Sequence, residues 1–406
     1  MSFSEKQQEF LQNCNHRWNI KTGATRSGKT FLDYTVIPKR ILKCRGDGLI
    51  VLLGNTKGTL ERNILEPMRS IWSPSLVGLI SSNNTVNIFG KRCYALGADK
   101  VSQVSKLQGA AFEYCYGDEI TTWHQDVFQM LKSRLSCPGS CFDGTCNPDN
   151  PHHWFKQFLD SGADIFQQAY TIDDNPFLDH GFVDALKAEY TGTVYYDRFI
   201  LGRWKSAEGV VYRQFADDPA RFITDEVPKI QMAVIGVDFG GNGSAHAFVC
   251  NGILPGWKGI VTLDEYYRKE VISPGQLEQD FIDFVRRCKE RYPKIYEVYC
   301  DSAEQVLIQG LRAATVRAGL PIDIRNARKG PINDRIRFYC QLMGAGKYSV
   351  LRRCTHVIEA LSTAVWNSKD PTKDERLDDG SSNIDSLDAL EYSTEPYMAD
   401  IIALMR

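Results

Sequence analysis

A two-part α/β architecture follows from three features of this 406-residue sequence. Short apolar runs of strand length alternate with longer helical patterns. A glycine-rich turn, GATRSGKT, separates the first such run from the first long helix. Several apolar runs end on an aspartate. Alternation of this kind implies a mainly parallel sheet flanked by helices. The chain is too long for one ordinary core and long enough for two.

Ser4 and Gln7 form a capping box at the start of a short helix over EKQQEFLQN. A strand over Arg17–Thr22 runs into the glycine-rich turn. A helix follows from Gly28 to Cys44, with a bend or break expected near Pro38, which has no N–H to donate. Gly48–Gly54 reads as a buried strand and Thr85–Leu96 as a hairpin with Phe89-Gly90 near its middle. Phe112–Gly117 is a strand ending at Asp118-Glu119, and Ser140–Thr145 is another ending at Asn147-Pro148. From Ser206 to Ile230 polar residues, Pro219 and Pro228 loosen the pattern. The expected division is therefore one domain over 1–205, a linker over 206–230 and a second domain over 231–406. The second set comprises strands Met232–Asp238, Ala245–Cys250 and Gly259–Tyr267, a helix over Gly275–Tyr292 and the strand Tyr296–Asp301. A charge-rich segment ending in Gly-Ser-Ser, Lys369–Ser382, precedes a final helix from about Ile384.

Composition narrows the class. A hydrophobic fraction of 43% with 24% charged residues is that of a globular protein. No apolar run approaches the roughly 20 residues of a membrane-spanning helix. The start MSFSEKQQEF lacks the basic and apolar stretches of a secretion signal, so a cytoplasmic location is expected. The net charge of −2 speaks against a surface coated with nucleic-acid affinity. It leaves room for a local basic groove, because phosphate attraction decays within roughly 8 Å. Cys137, Cys141 and Cys146, followed by His152 and His153, lack the spacing of a zinc site, so buried free thiols are expected.

Gly23-Ala-Thr-Arg26-Ser27-Gly28-Lys29-Thr30 satisfies G-x-x-x-x-G-K-[ST] between a strand and a helix. Glycines let backbone N–H groups turn around phosphate, and the helix N-terminus adds its positive end. Lys29 is placed to neutralise the β- and γ-phosphates of ATP, and the Thr30 hydroxyl to bind Mg²⁺. Asp118, at the end of an apolar strand, suits the Mg²⁺ hydration shell, and Glu119 suits polarising the attacking water. Phosphoryl transfer also calls for a cationic finger. Arg26 and Arg134 are candidates, and either is equally readable as a surface arginine. Gln7 or Gln8 either reads adenine or belongs to an exposed helical face.

A second acidic set lies downstream. Asp238 and Asp301 end strands, while Asp385 and Asp388 lie three apart on the last helix and share a face. Two strand-borne aspartates and one from a late helix are how ribonuclease-H-like folds hold two divalent metals about 4 Å apart. Oxygen-only ligands suit Mg²⁺ or Mn²⁺. Asp264-Glu265 also ends a strand but reads as structural. Arg325, Arg328, Lys329, Arg335 and Arg337 are the densest basic stretch, either a DNA groove or a solvated helix face.

Together these residues resemble the large terminase subunit of tailed bacteriophages. The resemblance runs through GATRSGKT, YGDEI, Thr145-Cys146-Asn147-Pro148, Asp174-Asn175-Pro176-Phe177, Leu201–Trp204 with Glu208-Gly209, VDFG and Asn383–Tyr392. It implies an N-terminal P-loop ATPase centred on Lys29, Thr30, Asp118 and Glu119. It also implies a C-terminal ribonuclease-H-like nuclease with Asp238, Asp301 and Asp388 as metal ligands and Asp385 beside them. Thr145–Pro148 looks like the family's motif coupling hydrolysis to movement. Relatives often carry an arginine before the Asp-Glu pair, where this chain has Lys106-Leu-Gln108-Gly109, so the trans-acting finger stays unassigned. The implied work is ATP-driven movement of double-stranded viral DNA into a procapsid, with endonucleolytic cutting of the concatemer. The implied partners are a small terminase subunit and a portal protein, with a homo-oligomeric ring during packaging and a monomer as the alternative in solution. Two other readings are a helicase-like translocase with a DNA-binding C-terminal domain and a ribonuclease-H-like recombinase or resolvase. Clustered acids disfavour the first, and Thr145–Pro148 after Asp118-Glu119 disfavours the second.

Overall fold

Strands that ride inside a parallel sheet are covered on both faces and so are apolar almost throughout. Leu49–Gly54 shows this: Val51 and Leu53 face one core, with Trp18, Phe128 and Phe142, while Ile50 and Leu52 face another, with Ile37, Ile41 and Tyr114. The computed structural model describes residues 3–100, 102, 109–240, 244–292, 294–370, 373–379 and 383–405. Lys106–Gln108, named above, lie outside the described residues, as do Gly241–Gly243 and Ser382. The chain divides into two compact units, Met1–Val183 with Tyr195–Ser206, and Asp184–Val194 with Ala207–Arg406.

Among the described residues the first unit holds seven strands: β1 (Trp18–Gly23), β2 (Leu49–Gly54), β3 (Thr85–Ile88), β4 (Lys91–Gly97), β5 (Phe112–Gly117), β6 (Cys141–Cys146) and β7 (Ile165–Tyr170). Their order is β3-β4-β2-β5-β6-β1-β7, and every pairing is parallel except the hairpin β3-β4. That hairpin turns on Phe89 and Gly90, both at positive φ (49° and 78°), the geometry that suits a two-residue connection. β7, which the sequence pattern did not single out, pairs along the whole of β1. Its burial alternates only at its end, so no long apolar run marks it.

The helix Lys29–Lys43 runs unbroken through Pro38, contrary to the expected break. Proline at 38 leaves the carbonyl of Tyr34 without its helical donor. The indole N–H of Trp72 takes that place at 2.7 Å, so the orphaned acceptor is satisfied and the helix persists.

The described residues of the second unit also form seven strands: β8 (Ile223–Thr224), β9 (Met232–Asp238), β10 (His246–Ile253), β11 (Ile260–Arg268), β12 (Ile295–Cys300), β13 (Asp323–Asn326) and β14 (Tyr348–Leu351). The order is β13-β12-β9-β10-β11-β14-β8, with β10 antiparallel to both neighbours and the other pairs parallel. Residues 207–230, expected as linker, carry structure of their own. They contribute the helix Arg213–Asp217 and strand β8, which pairs with β14. Buried Val211, Tyr212, Phe215 and Phe222, with the two phenylalanine rings stacked at 5.2 Å, hold this segment in the second unit. Polar spacing in the sequence masked those anchors.

The helix Asp385–Thr394 lies across β9 and β10. Gly236 permits this: a Cβ there would meet the Ala389 carbonyl oxygen at 1.8 Å. Asn251 fixes the helix from the β10 side, donating to Ser393 Oγ at 2.7 Å.

Candidate active sites

In the first unit the chain leaves β1 through a glycine at φ 137°, and a Cβ at Gly23 would meet the Tyr170 carbonyl oxygen at 2.0 Å. Arg26 and Gly28 also take positive φ (59° and 86°), and Gly28 caps the helix Lys29–Lys43. The result is the curled loop and helix N-terminus that the motif demands. Lys29 is buried and donates to the carbonyls of Gly23 at 2.9 Å and Ala24 at 2.5 Å, to Ser27 Oγ at 3.3 Å and to Asn147 Oδ1 at 3.2 Å. Burial pulls its ammonium down to about 8, with Cys146, Glu119 and Asp118 opposing. Polyanionic phosphate would supply the counter-charge that those neutral carbonyls lack.

Asp118 follows β5 and Glu119 sits at φ 50°. Thr145, at the end of β6, donates to Asp118 Oδ1 at 3.1 Å and accepts from the Glu119 N–H at 3.3 Å. Burial raises the Asp118 carboxyl, opposed by hydrogen bonds from Asn63 and Thr145. The end of β6 and the residue just after it therefore touch both halves of the site, Thr145 on the acidic side and Asn147 on Lys29. A cleft of about 600 Å³ opens here, lined by Arg26, Ser27, Gly28, Lys29, Thr30, Asp118, Glu119 and Asn147 among others.

Other expected residues fall differently. Arg134 does not line the cleft. It ends the helix Gln125–Arg134, which must return toward the start of β6 for the two strands to run parallel, so it lies at the opposite end of the sheet. Gln7 donates to the Gly28 carbonyl at 2.9 Å and accepts from Ser4 N–H at 2.9 Å, while Gln8 donates to the Phe3 carbonyl at 3.0 Å. Gln7 thus braces the phosphate loop. Asn175, within the Asp174–Phe177 stretch, donates to the Arg26 carbonyl at 2.7 Å. Arg62 and Asn63 also line the cleft and were missed, since no motif includes them. Of the cysteines, all but Cys141 are buried, and all are free thiols.

In the second unit, parallel pairing sets the ends of β9 and β12 side by side, and the Asp301 N–H donates to the Val237 carbonyl at 2.9 Å. Asp238 and Asp301 are thereby neighbours, and the close crossing at Gly236 brings Asp385 and Asp388 over them. Burial raises the Asp238 carboxyl well above its ordinary range, reinforced by repulsion from Asp388, Asp385 and Asp301 and opposed by Lys329. Burial pushes Asp388 up to about 6, with Arg376 opposing. Asp385 is also raised by burial and accepts from the Ala245 N–H at 2.8 Å.

Two of these acids meet a cation. Lys329 pairs with Asp301, and Arg376 donates to Asp388 at 2.6 Å, with Arg335 at 3.9 Å. Among the described residues no three His, Cys, Asp or Glu side chains enclose a common centre as placed. The chemistry of the donor set nonetheless fits a hard divalent cation: aspartate oxygens only, with burial and mutual repulsion that a cation would relieve. Arg376, in the segment that reads as a charged loop, is buried and also donates to Glu391 at 2.7 Å. Of the basic stretch, Lys329 and Arg335 turn toward the acids, Arg325 pairs with Glu297 at 2.7 Å, and Arg337 with Asp334 at 2.6 Å. Asp264 is buried against Arg287 and Arg291, and Glu265 accepts from the N–H groups of His356 and Val357.

No helix is long and apolar enough to cross a membrane among the described residues. Residues 21–216 match the family described as terminase large subunit, T4likevirus-type, N-terminal. No curated protein matches the chain. Across its length the fold is similar to that of the large terminase from a thermophilic bacteriophage, with TM-score 0.82, 23% identity, and 97% of this chain and 98% of that one covered. The same phage enzyme in complex with ATP-gamma-S gives TM-score 0.79 at 23% identity, covering 96% and 98%. The phosphate loop, the Asp-Glu strand end and the end of β6 thus meet on one cleft within residues 21–216, the part of the chain that is similar to the N-terminal region of terminase large subunits.

Proposed function

We propose that the first unit is an ATP-driven motor that moves double-stranded viral DNA into a procapsid and that the second is a metal-dependent endonuclease that cuts the concatemer. The observation that carries the motor is the convergence of Lys29, Asp118 and the Thr145–Asn147 segment on one cleft. Lys29 and the loop N–H groups of 26–30 would bind the β- and γ-phosphates, Thr30 and Asp118 would hold Mg²⁺ there, and Glu119 would accept the proton of the attacking water. Because Asn147 bonds Lys29 and Thr145 bonds Asp118, loss of the terminal phosphate would change what this one strand end can touch on both sides. That is a physical route from hydrolysis to movement. The bound nucleotide of the thermophilic phage enzyme supports the same use of this fold.

For the nuclease, Asp238, Asp301 and Asp388, with Asp385 beside them, would hold Mg²⁺ or Mn²⁺. Bound there, the ions would supply Lewis-acid charge to the attacking and leaving oxygens of a phosphodiester. Arg376 and Arg335 orient Asp388 from below. Little base preference is expected, since phosphate-directed charges rather than base-reading groups surround the acids. Packaging further implies a small terminase subunit, a portal protein and a ring of copies as partners.

Lys29→Ala and Asp238→Ala in the full chain test this reading against ATP hydrolysis and Mn²⁺-dependent plasmid cleavage. Lys29→Ala is expected to reduce hydrolysis by at least about 10²-fold while leaving cleavage, and Asp238→Ala to do the reverse. Cleavage surviving both Asp238→Ala and Asp301→Ala would remove the nuclease assignment.

A further inference from the structure

One cation at the phosphate cleft belongs to no motif. Glu61–Leu65 form a π-helical turn between the helical segments Lys57–Leu60 and Glu66–Trp72. Such turns are rare and recur at functional sites. Two successive residues of it, Arg62 and Asn63, line the cleft beside Arg26, Lys29, Asp118 and Glu119.

Asn63 is held from two sides. Its amide donates to Asp118 Oδ2 at 3.4 Å, and its carbonyl accepts from the Tyr34 hydroxyl at 2.9 Å. Tyr34 lies on the helix that follows the phosphate loop, and the Trp72 indole fixes its backbone. The turn is therefore tied both to the acidic strand end and to the phosphate-loop helix. Arg62, by contrast, is exposed and makes no ion pair among the described residues. Its neighbour Glu61 is already paired with Arg69.

Charge in the lining makes this placement consequential. Without Arg62, the cations Arg26 and Lys29 only balance Asp118 and Glu119. A triphosphate carries more negative charge than a diphosphate, and the excess sits on its terminal group. Asn63 sets the turn on the Asp118 side of the cleft, where that group must lie for Glu119 to reach the attacking water.

We propose that Arg62 binds the terminal phosphate of a nucleoside triphosphate in this cleft, so that the site distinguishes triphosphate from diphosphate. The inference rests on the ATP reading of the cleft and adds the residue that senses the terminal group.

Direct binding of ATP-gamma-S and of ADP to the full chain, with Mg²⁺, tests it. Arg62→Ala is expected to weaken ATP-gamma-S binding by roughly tenfold to a hundredfold and to change ADP binding by less than about twofold. Arg62→Lys should recover part of the loss, because an ammonium keeps the charge without the planar fork. Equal weakening of both nucleotides, or of neither, overturns the assignment. Lys29→Ala measured alongside separates the two claims. If it weakens both nucleotides while Arg62→Ala weakens neither, the ATP reading stands and Arg62 alone is wrong. Wild-type chain that binds neither nucleotide removes both.

Discussion

Buried charges decide much of what individual residues do here. Lys21 and Asp33 pair at 2.7 Å with both side chains fully buried, and Phe10 lies 4.2 Å from the ammonium. Removing one partner leaves a stranded charge, so Lys21→Met or Asp33→Leu alone should cost about 3–5 kcal/mol in denaturant unfolding, and the double replacement far less. Burial pushes the Asp33 carboxyl up to about 6, with Lys21 opposing. The folded state then holds a proton that the unfolded state has released between roughly pH 4 and 6, so this group's contribution to stability falls as pH rises through that window. Asp33→Asn lacks that contribution. Its stability relative to the wild type should therefore improve between pH 4 and 6, and melting curves showing a constant difference would refute the assignment. In the second unit Arg376 is the equivalent buried cation, shared by Glu391 and Asp388. Arg376→Ala should cost about 3–5 kcal/mol in unfolding, because Glu391 stays buried beneath it. The aspartates and Lys29 were legible as residues because their chemistry repeats a pattern. Arg376 was not, since a highly charged stretch gives no sign that one arginine turns inward.

At the scale of elements, strand ends position nearly every reactive group, and strand ends are what hydrophobic runs locate best. β2, β5, β6, β9 and β12 were readable for that reason, and so were Asp118, Asp238 and Asp301. β7 was not, because its exposed face interrupts the apolar run. Proline does not end the helix at residue 38, where a distant indole satisfies the freed carbonyl. Trp72→Phe keeps the ring and removes that donor. It should cost about 1–3 kcal/mol and lower hydrogen-exchange protection in the second half of the helix Lys29–Lys43. Unchanged protection there would show that the helix does not depend on it. Gly236 sets how closely the helix Asp385–Thr394 meets β9. Gly236→Ala should displace that helix, melt the second unit several degrees early and reduce Mn²⁺-dependent cleavage. Retained cleavage would mean that Asp388 need not lie so near Asp238.

Over the whole molecule, two units each carry one acidic centre, and the proposed division of labour follows from their different surroundings. The first sets two acids opposite a lysine and a loop of N–H groups, a place for phosphate. The second gathers four aspartates with few neutral donors, a place for divalent ions. Their order along the chain was readable, whereas the limits of the units were not: residues 184–194 group with the second unit, and buried aromatics bind 207–230 into it. The central claim is that Asp238, Asp301 and Asp388 bind divalent metal together. Electron paramagnetic resonance of Mn²⁺ titrated into nucleotide-free full chain tests it most directly. Bound Mn²⁺ is expected for the wild type and for Lys29→Ala, with at least about tenfold weaker binding for Asp238→Asn and Asp301→Asn. Binding left intact by both aspartate replacements would contradict it.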